Sequence, residues 1–147
     1  MTVEEQLSGH IVVGVDGSEH SKAALRWAAK VAPIFGGVIE AMAVWGLPAV
    51  ASWEAAFLVE PEEIERSTRE MLDHTLADVF GPELPPGLVR SIVFGDPARA
   101  LIKASTHAAL VVVGSRGAGA LSGLLLGSVS AHCAERAKCP VTVVHER

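Results

Sequence analysis

The chain contains Gly114-Ser115-Arg116-Gly117, then nine residues (118–126), then Gly127-Ser128-Val129-Ser130. The apolar run Leu110-Val111-Val112-Val113 directly precedes this stretch and predicts a buried strand. Glycines in such a turn permit positive φ and let the backbone approach a ligand closely. Consecutive N–H groups in the turn, and those at the start of the helix predicted after Gly127, both favour an anion. This strand-to-helix connection therefore predicts a site for a nucleotide polyphosphate.

Apolar strands alternate with amphipathic helices on both sides of this motif. β-branched and apolar runs predict strands over 10–15, 38–45, 88–94, 110–113 and 140–145. Helical spacing and capping residues predict helices from Ser18 or Ser21 to Phe35, where Gly36-Gly37 follows, and over 61–79, 96–107 and 128–138. Residues 46–60 have no clean period and predict an apolar loop.

This alternation predicts an α/β fold, a doubly wound, flavodoxin-like parallel sheet of five strands with helices on both faces. The expected strand order is 3-2-1-4-5, and ligands in such sheets bind at the carboxyl ends of the strands beside the switch point. Asp16 follows the first strand and Gly114 follows the fourth. We therefore expect both to meet in one crevice between strands one and four.

Composition limits the remaining classes of protein. The 147 residues predict one domain (1–147) with a flexible N-terminus at 1–9, and half of the residues are hydrophobic. The net charge of −5 argues against nucleic-acid binding, which needs a basic surface. The start of the chain lacks the basic and apolar parts of a secretory signal, and no run is long enough to span a membrane. These features predict a cytoplasmic protein whose Cys133 and Cys139 are reduced structural thiols.

Familiar catalytic and phosphate motifs are missing from the sequence. No lysine follows a glycine with P-loop spacing, and Gly117-Ala118-Gly119 does not complete a dinucleotide fingerprint. The six histidines form no zinc-binding pattern, and no nucleophile elbow is present. We therefore predict no catalytic residue and leave any metal ligand open.

The glycine stretch resembles the G-x2-G-x9-G-[ST] signature of the universal stress protein family, in its ATP-binding form. The segments 11–18, 95–98 and 139–141 also resemble that family, so the likeness extends over nearly the whole chain. It implies that ATP, with Mg²⁺, binds at the crevice. It also implies a homodimer formed through the C-terminal strand, where the apolar edge 141–144 needs a partner.

The resemblance also implies roles for individual residues. Asp16 would contact adenosine or the metal–phosphate region, and main-chain groups of Gly14, Val15 and Val44 would hold adenine. The phosphates would lie against the glycine motif, and Arg116 would supply a counter-charge. The full predicted set is Gly14, Val15, Asp16, Val44, Val113, Gly114, Arg116, Gly117, Gly127, Ser128, Val129 and Ser130.

Several of these residues also fit a purely structural role. The glycines and serines fit turns and helix caps, Asp16 fits a solvated turn or a cap, Val44 fits the core, and Arg116 fits an exposed loop. The function that the motif favours is an ATP-binding stress-response regulator with slow or no hydrolysis, since efficient phosphoryl transfer needs charge clamps that are missing. The alternatives are a slow ATP-hydrolysing enzyme and a nucleotide-independent dimeric interaction module.

Overall fold

Five strands form a single parallel sheet in the computed structural model, which describes residues 9–47, 53–117 and 126–146. The strands are β1 (Ile11–Gly14), β2 (Ile39–Trp45), β3 (Val89–Phe94), β4 (Leu110–Gly114) and β5 (Val141–Val144). Their order is β3-β2-β1-β4-β5, and all four pairings are parallel. The predicted fold class and strand order are therefore confirmed.

Within these described ranges, five helices connect the strands: α1 (Glu19–Val31), α2 (Trp53–Ala56), α3 (Pro61–Phe80), α4 (Pro97–Ala104) and α5 (Ser128–Arg136). Local chemistry fixes where they begin. Ser18 caps α1 by accepting a hydrogen bond from Ser21 N–H at 3.2 Å, and Asp96 caps α4 by accepting one from Arg99 N–H at 3.0 Å. Pro61 and Pro97 occupy first-turn positions, where their missing N–H costs nothing.

The two faces of the sheet have separate apolar cores. On one face, Leu25 and Ala28 of α1 and Leu72 of α3 pack against alternate residues of β1, β2 and β4. On the other face, Leu101 of α4 and Cys133 of α5 pack against the intervening residues of the same strands. Because both faces are covered, β1 and β4 at the centre of the sheet are apolar without interruption, as parallel strands in this class usually are.

Two predicted elements differ from the structure. α1 ends at Val31 rather than Phe35, because Pro33 has no N–H to continue the helical hydrogen bonds. The predicted loop over 46–60 contains the short helix α2, although 48–52 lie outside the described residues. The flexible N-terminus predicted for 1–9 lies outside them as well, apart from Gly9. Within the described ranges, no helix is both long and apolar enough to cross a membrane.

Candidate functional site

A cleft opens at the carboxyl ends of β1 and β4, among side chains of the core that α4 and α5 cover. It contains about 540 Å³ of empty space, part of which is open to solvent. The cleft lies at the switch point between β1 and β4. The chain adds β2 and β3 on one side of β1, whereas β4 and β5 lie on its other side.

Most of the residues that the sequence predicted for the site line this cleft. Nine of them do so: Gly14, Val15, Asp16, Val44, Val113, Gly114, Arg116, Gly117 and Val129. The other three do not belong to the lining, namely Gly127, Ser128 and Ser130. Among the described residues, four that were not predicted also line it: Ser21, Met42, Pro97 and Leu101.

Of the wall residues that were not predicted, Met42 could have been found from the sequence, whereas Pro97 and Leu101 could not. Met42 precedes Val44 by two positions on β2, so the two share a face of the sheet, and strand periodicity was sufficient to find it. Pro97 and Leu101 lie four residues apart on α4. Their spacing puts them on one face of a helix, but only the packing of α4 against β1 and β2 brings that face to the cleft.

Asp16 serves the local turn and also lines the cleft. Its Oδ1 accepts hydrogen bonds from Ser18 N–H at 3.0 Å and from Ser18 Oγ at 2.5 Å, which is the turn role considered from the sequence. Its Oδ2 lies 2.8 Å from where a Cβ would stand on Gly117. The loop after β1 and the loop after β4 therefore meet at this carboxylate, and Gly117 leaves room for it.

The glycines of the motif are required for close packing rather than for positive φ. Gly127 has a φ of −73°, and neither Gly114 nor Gly117 is among the described glycines with positive φ. The positive φ that glycine permits is therefore not used at these three positions. A Cβ on Gly114 would lie 2.7 Å from the backbone carbon and the Cβ of His20. The first turn of α1 therefore fills the space that a side chain at Gly114 would need.

Ser115 joins three parts of the site through hydrogen bonds. Its N–H donates to Val144 O at 2.8 Å, and its carbonyl oxygen accepts from Gly127 N–H at 2.7 Å. The same carbonyl accepts from Ser130 Oγ at 3.0 Å, and Ser115 Oγ lies 3.4 Å from Nδ1 of His20. Ser115 is only 2% exposed. It therefore ties β5, the start of α5 and the start of α1 to the glycine loop, a role that the sequence analysis missed.

These bonds change which groups of the motif remain available for an anion. The Gly127 N–H is committed to Ser115, and the buried Ser130 hydroxyl donates to Ser115 O or to Gly127 O. The first hydrogen bond within α5 runs from Ala131 N–H to Gly127 O. The N–H groups of Ser128, Val129 and Ser130 come before it and form the positive end of the helix.

Replacing Ser130 by alanine is expected to lower the free energy of unfolding by about 1 kcal/mol, because a buried hydrogen bond is lost. The affinity for ATP, the ligand that the motif predicts, should change less than about twofold, since the hydroxyl already donates to protein carbonyls. Chemical denaturation and titration calorimetry measure the two quantities. Ser128→Ala is the control, because Ser128 is exposed. Unchanged stability with much weaker ATP binding would contradict this structural role.

Cys133 of α5 is buried in the core, and Cys139, which follows the helix, is half-buried against the same core. Burial, with a smaller contribution from the charge of Cys139, raises the pKa of the Cys133 thiol from 9.0 to about 11. Burial also raises the pKa of Cys139. Neither thiol is in a disulfide. The raised pKa values of the two thiols favour their protonated, unreactive form.

We therefore expect Cys133 in the folded protein to resist a disulfide reagent at pH 8 and to react once the protein is unfolded. The folded state holds the Cys133 proton more tightly, so stability should fall as the pH rises through the range from 9.0 to about 11. Ellman titration with and without denaturant measures the reactivity. Fast labelling of Cys133 in the native protein would contradict the assignment.

The fold and the cleft define a doubly wound α/β protein with a crevice at its switch point. The model of the universal stress protein family matches residues 8–145. This chain therefore belongs to the universal stress protein family, as the glycine motif predicted.

Individual relatives agree with this assignment. A universal stress protein of Mycolicibacterium smegmatis is 42% identical over 140 residues, which cover 92% of this chain and 47% of that protein. The chain thus spans about half the length of the curated relatives that it matches.

Solved structures share the fold. Universal stress protein UspA from Lactobacillus plantarum has a TM-score of 0.78 at 20% identity, covering 92% of this chain and 97% of that one. A universal stress protein crystallised in complex with cAMP has a TM-score of 0.60 at 26% identity, covering 94% of this chain and 97% of that one.

Proposed function

We propose that this protein is a cytoplasmic, ATP-binding stress-response regulator of one domain that hydrolyses ATP slowly or not at all. The observation that carries the proposal is the cleft, which combines an apolar wall with the glycine loop and with Val129 at the start of α5. An apolar wall suits a purine base, whereas loop N–H groups and a helix N-terminus suit phosphates. The relative that was crystallised with cAMP supports a nucleotide as the class of ligand.

The wall residues divide the cleft into two chemically different ends. Met42, Val44 and Leu101 supply apolar surface on which a base can pack. Asp16, Arg116 and Gly117 lie in the loops at the strand ends and supply charge and backbone groups. We infer that adenine lies toward β2 and α4, and that the phosphates lie toward Arg116 and the start of α5.

Mg²⁺ fits this arrangement as a partner of the phosphates rather than of the protein alone. The described residues contain no cluster of three or more histidine, cysteine or acidic side chains that would hold a metal. Asp16 is the acidic side chain of the described lining, and its carboxylate is a suitable ligand for a hard cation. ATP would supply the remaining oxygens.

Titration calorimetry with ATP and Mg²⁺ tests the proposal directly. We expect saturable binding of about one ATP per chain with a Kd on the order of 1–10 μM, a usual range for a regulatory ligand. The absence of heat and saturation, in protein shown to be free of nucleotide, would overturn the assignment. It would favour the nucleotide-independent interaction module instead.

Bound ATP is expected to stabilise the fold by mass action. With about 1 mM ATP and a Kd of about 1–10 μM, the free energy of unfolding should rise by about 2.7–4.1 kcal/mol. Thermal unfolding with ATP and Mg²⁺, compared with Mg²⁺ alone, measures the effect. An unchanged melting temperature would contradict the prediction.

Slow hydrolysis is the second candidate activity. Asp16 is the residue whose position favours it, because its carboxylate lies beside Gly117 in the proposed phosphate end of the cleft. Accumulation of ADP or AMP that Asp16→Ala abolishes while ATP still binds would support an ATPase. Turnover that persists in this variant would exclude Asp16 as its source.

We also propose a homodimer that pairs through β5. This strand is at the edge of the sheet, and its four residues are all half-buried in the single chain. An edge with apolar, β-branched residues must be covered or paired to prevent aggregation. Light scattering that gives a strict monomer at micromolar concentration would exclude this dimer.

A further inference from the structure

A second groove lies between α4 and α5, adjacent to the cleft. It contains about 590 Å³ of empty space, much of it open to solvent, and is lined by Asp96, Ala98, Arg99, Ile102, His132 and Arg136. Pro97 and Val129 line the cleft, whereas Ala98 and His132 line the groove. The first turns of the two helices therefore separate two distinct cavities.

The groove is positively charged although the chain has a net charge of −5. Arg99 of α4 and Arg136 of α5 line it from different helices, and both are exposed. Across the three described ranges, neither guanidinium group forms an ion pair with a carboxylate. By contrast, Arg66, Arg69 and Arg90 are each paired with one. Two guanidinium groups from different helices that line one cavity, with neither paired to a carboxylate of the described ranges, favour an anion as the ligand.

The other polar residues of the groove are already held in position. His132 Nδ1 lies 2.7 Å from Ser128 O, and since a carbonyl only accepts, Nδ1 carries a proton. The ring is thereby oriented and its Nε2 is left for a ligand. The Asp96 carboxylate accepts from Arg99 N–H as the cap of α4, so the positive end of that helix offsets its charge.

We propose that this groove is a second anion site, which binds a diphosphate group between Arg99 and Arg136. A guanidinium group forms paired hydrogen bonds with phosphate oxygens, and two phosphoryl groups match two such side chains. His132 lines the same groove, so the signals of its ring report on an anion bound there. The apolar floor of Ala98 and Ile102 carries no acceptor that competes for the arginines. The site does not depend on ATP binding in the cleft.

Inorganic pyrophosphate is the probe, titrated at constant ionic strength and followed through the NMR signals of the His132 ring. The experiment uses the full chain carrying Gly117→Asp, so that the phosphate end of the cleft is blocked. We expect saturable shifts of the His132 signals. Arg99→Gln and Arg136→Gln should each weaken binding about tenfold, the usual effect of losing a charge-assisted hydrogen bond.

Arg26→Gln is the matched control, because it removes the same charge from an exposed position of α1 on the opposite face of the sheet. It should change the affinity by less than about twofold, since distant charges are screened. Three results would overturn the proposal: no shift at His132, equal weakening by Arg26→Gln, or shifts in the unmodified protein that disappear with Gly117→Asp. The last would assign the anion to the cleft.

Titration with ADP in the same blocked protein identifies the source of the diphosphate. Equal affinities for ADP and pyrophosphate would show that the diphosphate alone is recognised, and tighter binding of ADP would show that the nucleoside contributes. Failure of ATP to bind in the cleft would leave these results unaffected, so the two proposals fail independently.

Discussion

Replacing Gly114 by alanine is expected to lower the free energy of unfolding by about 3 kcal/mol, the upper part of the usual range for overpacking. The new Cβ would lie 2.7 Å from His20 Cβ and 2.8 Å from His20 O. Real Cβ atoms do not approach backbone this closely, so β4 and α1 must separate. The expected fall in melting temperature is about 10 °C for a domain of this size. Differential scanning calorimetry measures it.

Gly14→Ala is the matched control for this prediction. Gly14 ends β1, the strand that pairs with β4, but its added Cβ would meet the flexible end of Leu101 at 3.0 Å rather than backbone. We expect the free energy of unfolding to fall by less than about 1.5 kcal/mol, because the Leu101 side chain can move aside whereas the backbone of a helix cannot. Equal decreases in the free energy of unfolding for the two variants would mean that the backbone of α1 does not restrict the space at Gly114.

Replacing Gly117 by aspartate is expected to weaken ATP binding at least about 100-fold. The Cβ would lie 2.8 Å from Asp16 Oδ2, so the new carboxylate would enter the cleft beside an existing one. Like charges in contact cost several kcal/mol, and the phosphates add further negative charge. About 2.7 kcal/mol already corresponds to a 100-fold loss. Titration calorimetry with ATP and Mg²⁺ measures the change.

Ala77→Asp is the control for the added charge, since Ala77 is exposed near the C-terminal end of α3. α3 begins after β2 and ends before β3, so its C-terminal end lies at the edge of the sheet opposite the cleft. This variant should retain ATP affinity within about twofold. If Gly117→Asp binds ATP as well as the unmodified protein does, the proposed phosphate site is wrong.

Much of the fold was predictable because local residues encode it. The strand order followed from the alternation of strands and helices, and the starts of α3 and α4 followed from Pro61 and from Asp96-Pro97. The early end of α1 was also encoded locally, by Pro33, but the continuing helical spacing to Phe35 concealed it. The apolar spacing favours a longer helix, but the missing N–H of Pro33 ends the helix earlier.

The cleft was less predictable than the strands. Asp16 and Gly117 were both expected there, because each follows the carboxyl end of a strand beside the switch point. Pro97 and Leu101 were missed, since they enter the cleft only through the packing of α4. Ser115 was missed for the same reason, as its partners His20 and Val144 are distant in the sequence.

The sequence alone determined the family, the order of the strands and the crevice where the glycine motif meets Asp16, because these depend on local pattern and on the few connections that parallel sheets allow. Only the tertiary structure decided which groups of the motif remain for a ligand. Ser115 takes the Gly127 N–H and the Ser130 hydroxyl, and His20 takes the space beside Gly114. Hydrogen bonds and close contacts act over a few ångströms, so their outcome depends on which distant segments the fold brings together.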